Sequence, residues 1–130
     1  MPESLAQPAH CPVLIVEDDP DLRDMMAQLL KVEGYPARTV SNGREALEYL
    51  KRVEKPDVIL LDLMMPIMDG WEFRRQQMDD PALAKVPVVV LSALDQTRGR
   101  DLAGAAFLKK PLDFDRLLEL VRRLCAGSDC

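Results

Sequence analysis

Three stretches of this chain are short, unbroken and rich in branched aliphatic residues: Val13-Leu14-Ile15-Val16, Val58-Ile59-Leu60-Leu61 and Val88-Val89-Val90-Leu91. Apolar runs of that length suit strands covered on both faces, as in a parallel sheet packed between helices. Ala37 to Val40 and Ala106 to Leu108 are weaker strand candidates. Helical patterns fill the gaps. Asp19 is placed to cap a first helix, with Pro20 at the opening position, where a missing N–H costs nothing. Leu22, Met25, Met26, Leu29 and Leu30 then share one face, and Gly34 ends the helix. The two methionines read as core fillers. Asn42 with Glu45, and Asp69 with Glu72, have the spacing of capping boxes that open a second and a third helix. Trp71 and Phe73 are expected to pack that third helix, and Asp79-Asp80 before Pro81 to form its polar end and a turn. A last helix starts at Asp113 and buries Phe114, Leu117, Leu118, Val121 and Leu124. From Asp95 to Gly104 the pattern is poor, with two glycines, two arginines and Leu102 as the only large apolar residue, so a short or irregular fourth helix is expected there. Five strand-then-helix alternations predict an α/β fold, a doubly wound parallel sheet with helices on both sides.

At 130 residues the chain suits one domain, expected over 11–125 with a loose lead-in at 1–10 and a tail at 126–130. A net charge of −5 argues against nucleic acid as a partner of this domain. No apolar run approaches the roughly 20 residues that span a bilayer, which argues against a membrane. Met1 to His10 lack the basic start and apolar stretch of a secretory signal, so a cytoplasmic location is expected. Cys11, Cys125 and Cys130 form no Cys-x-x-Cys pair, and His10 is the only histidine. Zinc takes about four such ligands. The cysteines are therefore expected to be reduced thiols without function.

The candidate chemistry lies just after the strands. The first strand runs into Glu17-Asp18-Asp19, the third into Asp62, the fourth into Ser92, and the fifth is followed by Lys109-Lys110-Pro111. Open α/β sheets bind ligands beyond the carboxyl ends of their strands, so these distant groups should meet there. Crowded carboxylates repel, and some hold protons unless a cation neutralises them. Mg²⁺ suits such a set because it takes oxygen ligands and keeps several waters. A free aspartate, ionised at neutral pH, is then a competent nucleophile toward phosphorus. Phosphoryl transfer chiefly demands positioning and charge neutralisation, which a metal, an ammonium and a hydroxyl supply.

The segments Leu14-Ile15-Val16-Glu17-Asp18-Asp19, Val58 to Pro66 with Asp69-Gly70, Ser92-Ala93 and Lys110-Pro111 resemble the CheY-like receiver domains of two-component signalling, in the family's order and from about Cys11 to Cys125. The resemblance implies a flavodoxin-like (βα)₅ fold with strand order 2-1-3-4-5. It implies that Asp62 is the phosphoacceptor, with Ser92 as switch hydroxyl and Lys110 as the pairing ammonium. For Mg²⁺ it implies Asp18 and Asp62 as ligands, Glu17 acting through water, and the backbone carbonyl of Met64. Phe107 takes the place of an aromatic residue that turns inward on activation, and Lys110-Pro111 is expected to be cis. The implied partners are a histidine kinase or a histidine phosphotransfer protein and an unidentified downstream protein, with a homodimer through the fourth-helix to fifth-helix face as a further option. On this reading the protein is a signalling switch rather than an enzyme. Asp19 remains open as a third acid or a helix cap, and Lys109 as a solvated neighbour of Lys110.

Two departures stand out. Family members often carry polar side chains two residues beyond the phosphoacceptor and two beyond the switch hydroxyl, where they orient the water that hydrolyses the acyl phosphate. This chain has Met64 and Leu94 there, which implies slow self-dephosphorylation. The span from Ser92 to Lys110 is also about one helical turn shorter than usual, consistent with the weak fourth helix. Among rival readings, an aspartate-nucleophile phosphatase wants a second aspartate where Met64 stands, and a dinucleotide-binding domain wants a glycine-rich first turn that Val16 to Asp19 lack. A phosphorylation-independent interaction module of the same fold remains the alternative.

Overall fold

A computed structural model describes residues 11–52, 55–93 and 105–128. The expected lead-in at 1–10, Leu94, the expected fourth helix between Asp95 and Gly104, and Cys130 lie outside the described residues. Strands β1 (Val13–Val16), β2 (Ala37–Val40), β3 (Val58–Asp62), β4 (Val88–Ser92) and β5 (Ala106–Lys109) are joined with helices α1 (Pro20–Val32), α2 (Gly43–Arg52), α3 (Gly70–Asp79) and the single turn α4 (Pro81–Ala84), which both precede β4, and α5 (Phe114–Ser128). All strand pairs are parallel and the order is β2-β1-β3-β4-β5, as expected.

The continuous apolar runs are buried on both faces because successive side chains point to opposite sides of the sheet. Val13, Ile15, Leu60, Val89 and Leu91 face one core, closed by Met26 and Leu30 of α1 and Leu117 and Val121 of α5. Leu14, Val16, Ile59, Leu61 and Val90 face the other, closed by Leu47 and Leu50 of α2, Phe73 of α3 and Leu83 of α4. Truncating one such residue to alanine costs about 2–5 kcal/mol. The strong strands thus fix the middle of the sheet, and β2, exposed at Arg38 and Thr39, is an edge.

The helix ends follow the expected chemistry with local amendments. Asp19 Oδ1 accepts from the N–H groups of Asp21 and Leu22 at 3.0 and 3.5 Å, so Asp19 is the cap of α1. At the other end Gly34, at φ 94°, lets its own N–H reach Lys31 O at 3.1 Å and that of Tyr35 reach Leu30 O at 2.8 Å, the Schellman closure. At α2, Asn42 accepts from Glu45 N–H at 2.9 Å, but the Glu45 carboxylate returns to Ser41, N–H and hydroxyl, at 2.8 Å each. At α3, Asp69 accepts from Glu72 N–H at 2.9 Å, while Glu72 pairs with Arg75 and Gln76 instead of closing the box. Asp80 caps α4 rather than merely ending α3.

Three expectations are corrected. Met26 is fully buried, but Met25 is 54% exposed, because it sits at the edge of the stripe beside Val32 and Phe114 rather than under α1. Helix α5 continues to Ser128, past the expected boundary at Cys125. Cys11 and Cys125 are not separate thiols: they form a disulfide with Cα atoms 5.9 Å apart. Lying 114 residues apart, they meet only because α5 packs its last turns beside the start of β1.

Candidate functional site

Strand ends position the polar groups. Glu17 follows β1 and is 1% exposed; Asp62 ends β3 and is 3% exposed; Ser92 ends β4 and is fully buried. Asp62 lies opposite Leu91 in the β3–β4 register, so Ser92 stands one residue farther along the neighbouring strand. Lys110 follows β5, with its N–H bonded to Ser92 O at 2.9 Å and a cis bond to Pro111, as expected.

These side chains meet. Carboxylate oxygens of Glu17, Asp18 and Asp62 all lie within 4.8 Å of one another. The Lys110 ammonium donates to Asp62 Oδ1 at 3.1 Å and to Glu17 Oε1 at 3.4 Å. Backbone contacts hold the acids in place: Asp19 N–H donates to Glu17 Oε2 at 3.2 Å, and Arg23 Nη1 donates to Glu17 O at 3.2 Å. Sequence reasoning overlooked Arg23, because a positioning arginine one helical turn into α1 looks like any surface charge. Lys109 is exposed, as its solvated reading expected. The Ser92 hydroxyl presently donates to Ala93 O at 2.6 Å rather than to the acid cluster. Phe107 is 37% exposed, and the Met64 side chain 54% exposed.

The loop from β3 to α3 is folded tightly against Asp62. Ile67 adopts φ 71°, a left-handed conformation uncommon for a β-branched residue, and its side chain is 74% exposed. The turn returns the chain so that Gly70 N–H bonds Leu63 O at 2.9 Å. Here glycine is required by space, since a Cβ at position 70 would meet Asp62 O at 2.5 Å and Leu63 Cα at 2.8 Å.

The electrostatics show the strain of packing three acids around one ammonium. Burial, and next the Asp62 carboxylate, push Glu17 up to about 7, against the opposing pull of Asp19 N–H and Lys110. Burial also raises Asp62, with Lys110 opposing and Asp18 adding to the rise. Burial works against the Lys110 charge, but the Asp62 and Glu17 carboxylates outweigh it and raise that pKa. Crowding and burial thus favour proton uptake by Glu17 and Asp62, and a cation would oppose it.

The chain matches the response regulator receiver domain family over residues 13–122. It belongs to that family. Protein PilH of Pseudomonas aeruginosa is 31% identical over 119 residues, 88% of this chain and 98% of PilH. The receiver domain also spans only 50% of the DNA-binding dual master transcriptional regulator RpaA of Synechocystis sp., to which it is 32% identical over 90% of its own length. Among solved structures, the signal receiver domain of a signal transduction histidine kinase from Syntrophus aciditrophicus superposes with a TM-score of 0.84 at 35% identity, covering 90% of this chain and 91% of that one. The receiver domain of a sensor histidine kinase from Pseudomonas aeruginosa, which has a magnesium ion coordinated in its active-site cleft, gives 0.82 at 28% identity, covering 89% and 98%. Among the described residues of the present receiver domain, no helix is long and apolar enough to cross a membrane.

Proposed function

We propose that this receiver domain accepts a phosphoryl group on Asp62 from a phosphohistidine of a kinase or phosphotransfer protein in the cytoplasm, and passes the change to a downstream protein. The observation that carries the reading is the single cluster of Asp62 with Glu17, Asp18 and Lys110 at one rim of the sheet. An Asp62 oxygen forms the new bond to phosphorus, the phosphorus–nitrogen bond of the donor breaks, and the departing imidazole takes a proton from solvent. Asp62 needs no base once Lys110 at 3.1 Å and a bound cation together offset the burial that disfavours its ionised form.

The donor set fits Mg²⁺: three carboxylates converge, and one ammonium leaves two of their negative charges uncompensated. Asp18, exposed at the rim, and Asp62 would hold the ion directly, with Glu17 through water and the Met64 carbonyl completing the protein's share. When bound, Mg²⁺ neutralises the acids and polarises the phosphoryl oxygens. Lys110 keeps the phosphoryl group in register, and Ser92, released from Ala93 O, donates to one of its oxygens. Phe107 would then turn inward as the switch responds.

Exposure to a small acyl phosphate should add the mass of one phosphoryl group to the protein with Mg²⁺ present and much less of it in excess chelator. Asp62→Asn should remove the gain. Labelling that survives that substitution, or no labelling of the folded wild type by any phosphodonor or histidine kinase, would favour a phosphorylation-independent binding module instead.

A further inference from the structure

At the opposite rim of the sheet from the acids, Cys11 immediately precedes Pro12 and β1, and Cys125 lies in the last turn of α5. Their Cα separation of 5.9 Å falls within the range a disulfide spans, roughly 4.4–6.8 Å. Both side chains are buried, 5% and 8% exposed, in the core that contains Val13, Leu117 and Val121. Two features of this setting bear on reversibility. The bond is not the only link between these elements, because Leu117 and Val121 seat α5 in the core and the Asp57 N–H to Pro12 O bond, at 2.8 Å, fixes the strand entry. A reduced pair is also acceptable there, since a free cysteine packs as a small apolar side chain.

We propose that Cys11 and Cys125 are a redox-active dithiol, a covalent modification site that reacts with small-molecule disulfides and whose closure fastens α5 to the start of β1. One cysteine, as thiolate, attacks the donor disulfide, whose sulfur–sulfur bond breaks to release one thiol and leave a mixed disulfide. The second cysteine attacks that intermediate and releases the second thiol. The protein gives up two electrons and two protons, and the donor gains both. Entry needs only a local opening of the last turn of α5, the kind of fluctuation that helix ends undergo far more readily than cores. In a reducing compartment the pair rests as thiols, so the bond reports oxidation rather than serving as a permanent brace. Closing a loop of 114 residues constrains the unfolded chain strongly, and the folded form gains in proportion. The pair lies at the opposite rim of the sheet from Asp62.

The experiment uses the full chain carrying Cys130→Ser, which leaves only this pair of cysteines. The protein is equilibrated with mixtures of reduced and oxidised glutathione and read by peptide mass mapping, circular dichroism, thermal unfolding and amide hydrogen exchange. The expected result is a Cys11–Cys125 linked peptide that appears and disappears with the glutathione ratio while the circular dichroism stays native. The oxidised form should melt about 10 °C or more above the reduced form. The last turns of α5 should exchange at least about tenfold faster when reduced. Cys11→Ser should behave as the reduced protein, and if it fails to fold the reduced parent carries the comparison. Three results each overturn the proposal: glutathione adducts without the linked peptide, identical α5 exchange in both forms, or unfolding of the domain on reduction, which would make the bond a fixed structural staple.

Discussion

Met64 stands two residues beyond Asp62 with its side chain 54% exposed, so it is free to meet solvent at the rim of the acid cluster without being able to bind it. A thioether is a weak hydrogen-bond acceptor and no donor, and leucine at position 94 is neither. A water attacking the aspartyl phosphate would therefore have to be positioned without help from either side chain. Met64→Asn with Leu94→Glu should shorten the phosphorylated lifetime roughly tenfold, the effect of about one added hydrogen bond in the transition state. The decay of phosphoryl-protein in intact-mass spectra measures it, and an unchanged half-life would sink the idea. The acids, Ser92 and Lys110 were legible in the sequence because each stands within two residues of the end of an apolar run, and strand ends on one rim must converge. The Ser92 hydroxyl turned toward Ala93 was not legible, because a strand-end serine has several acceptors within reach and only geometry selects one. The Cys11–Cys125 pair was hidden for a different reason: nothing local to either cysteine records the packing of α5.

Elements, not only side chains, hold the site. Helix α3 starts so close to β3 that its first residue must lack a side chain: a Cβ on Gly70 would collide with backbone, Asp62 O at 2.5 Å and Leu63 Cα at 2.8 Å. Backbone cannot rotate out of the way as a flexible side chain can. Gly70→Ala is therefore expected to destabilise the domain by about 1–3 kcal/mol, as overpacking does. It should also slow phosphoryl acceptance on Asp62 by displacing the end of β3. Urea unfolding and the labelling rate check the two halves, and wild-type values for both would refute the steric account. The sequence showed the strands through their branched aliphatic runs and α1, α2 and α3 through their caps. It did not show α4, where a four-residue turn is too short for any periodicity. Nor did it show why α4 stays put: fully buried Gln77 donates to Leu83 O at 2.9 Å and Val86 O at 3.1 Å, and accepts from Arg74 at 2.8 Å. A glutamine within a helix reads as solvent-facing unless its distant carbonyl partners are known.

Across the whole molecule, the proposed switch is limited by bonds that already exist. Moving a two-state population from 1:99 to 99:1 takes about 5.5 kcal/mol of differential interaction. Two new charge-assisted hydrogen bonds of roughly 1.5–3 kcal/mol each would reach that figure only at the top of their range. The geometry reduces both gains. Ser92 must first give up its 2.6 Å bond to Ala93 O, and Lys110 is already paired with Asp62 and Glu17 at 3.1 and 3.4 Å. Each group exchanges one partner for a better one, so the net gain is on the order of 2–3 kcal/mol in total, about 30- to 150-fold. Phosphorylation alone should then leave both forms populated, with a downstream partner completing the shift. Phe107, paired in register with Val90 and 37% exposed, is the natural reporter because it lies on β5, the strand that neighbours the one ending in Ser92. Its amide resonance should move only part of the way on phosphorylation and markedly less in Ser92→Ala, although the substituted protein still accepts the phosphoryl group. If Ser92→Ala moves as far as the wild type, the hydroxyl does not transmit the signal, and the coupling must run through Lys110 and β5 alone.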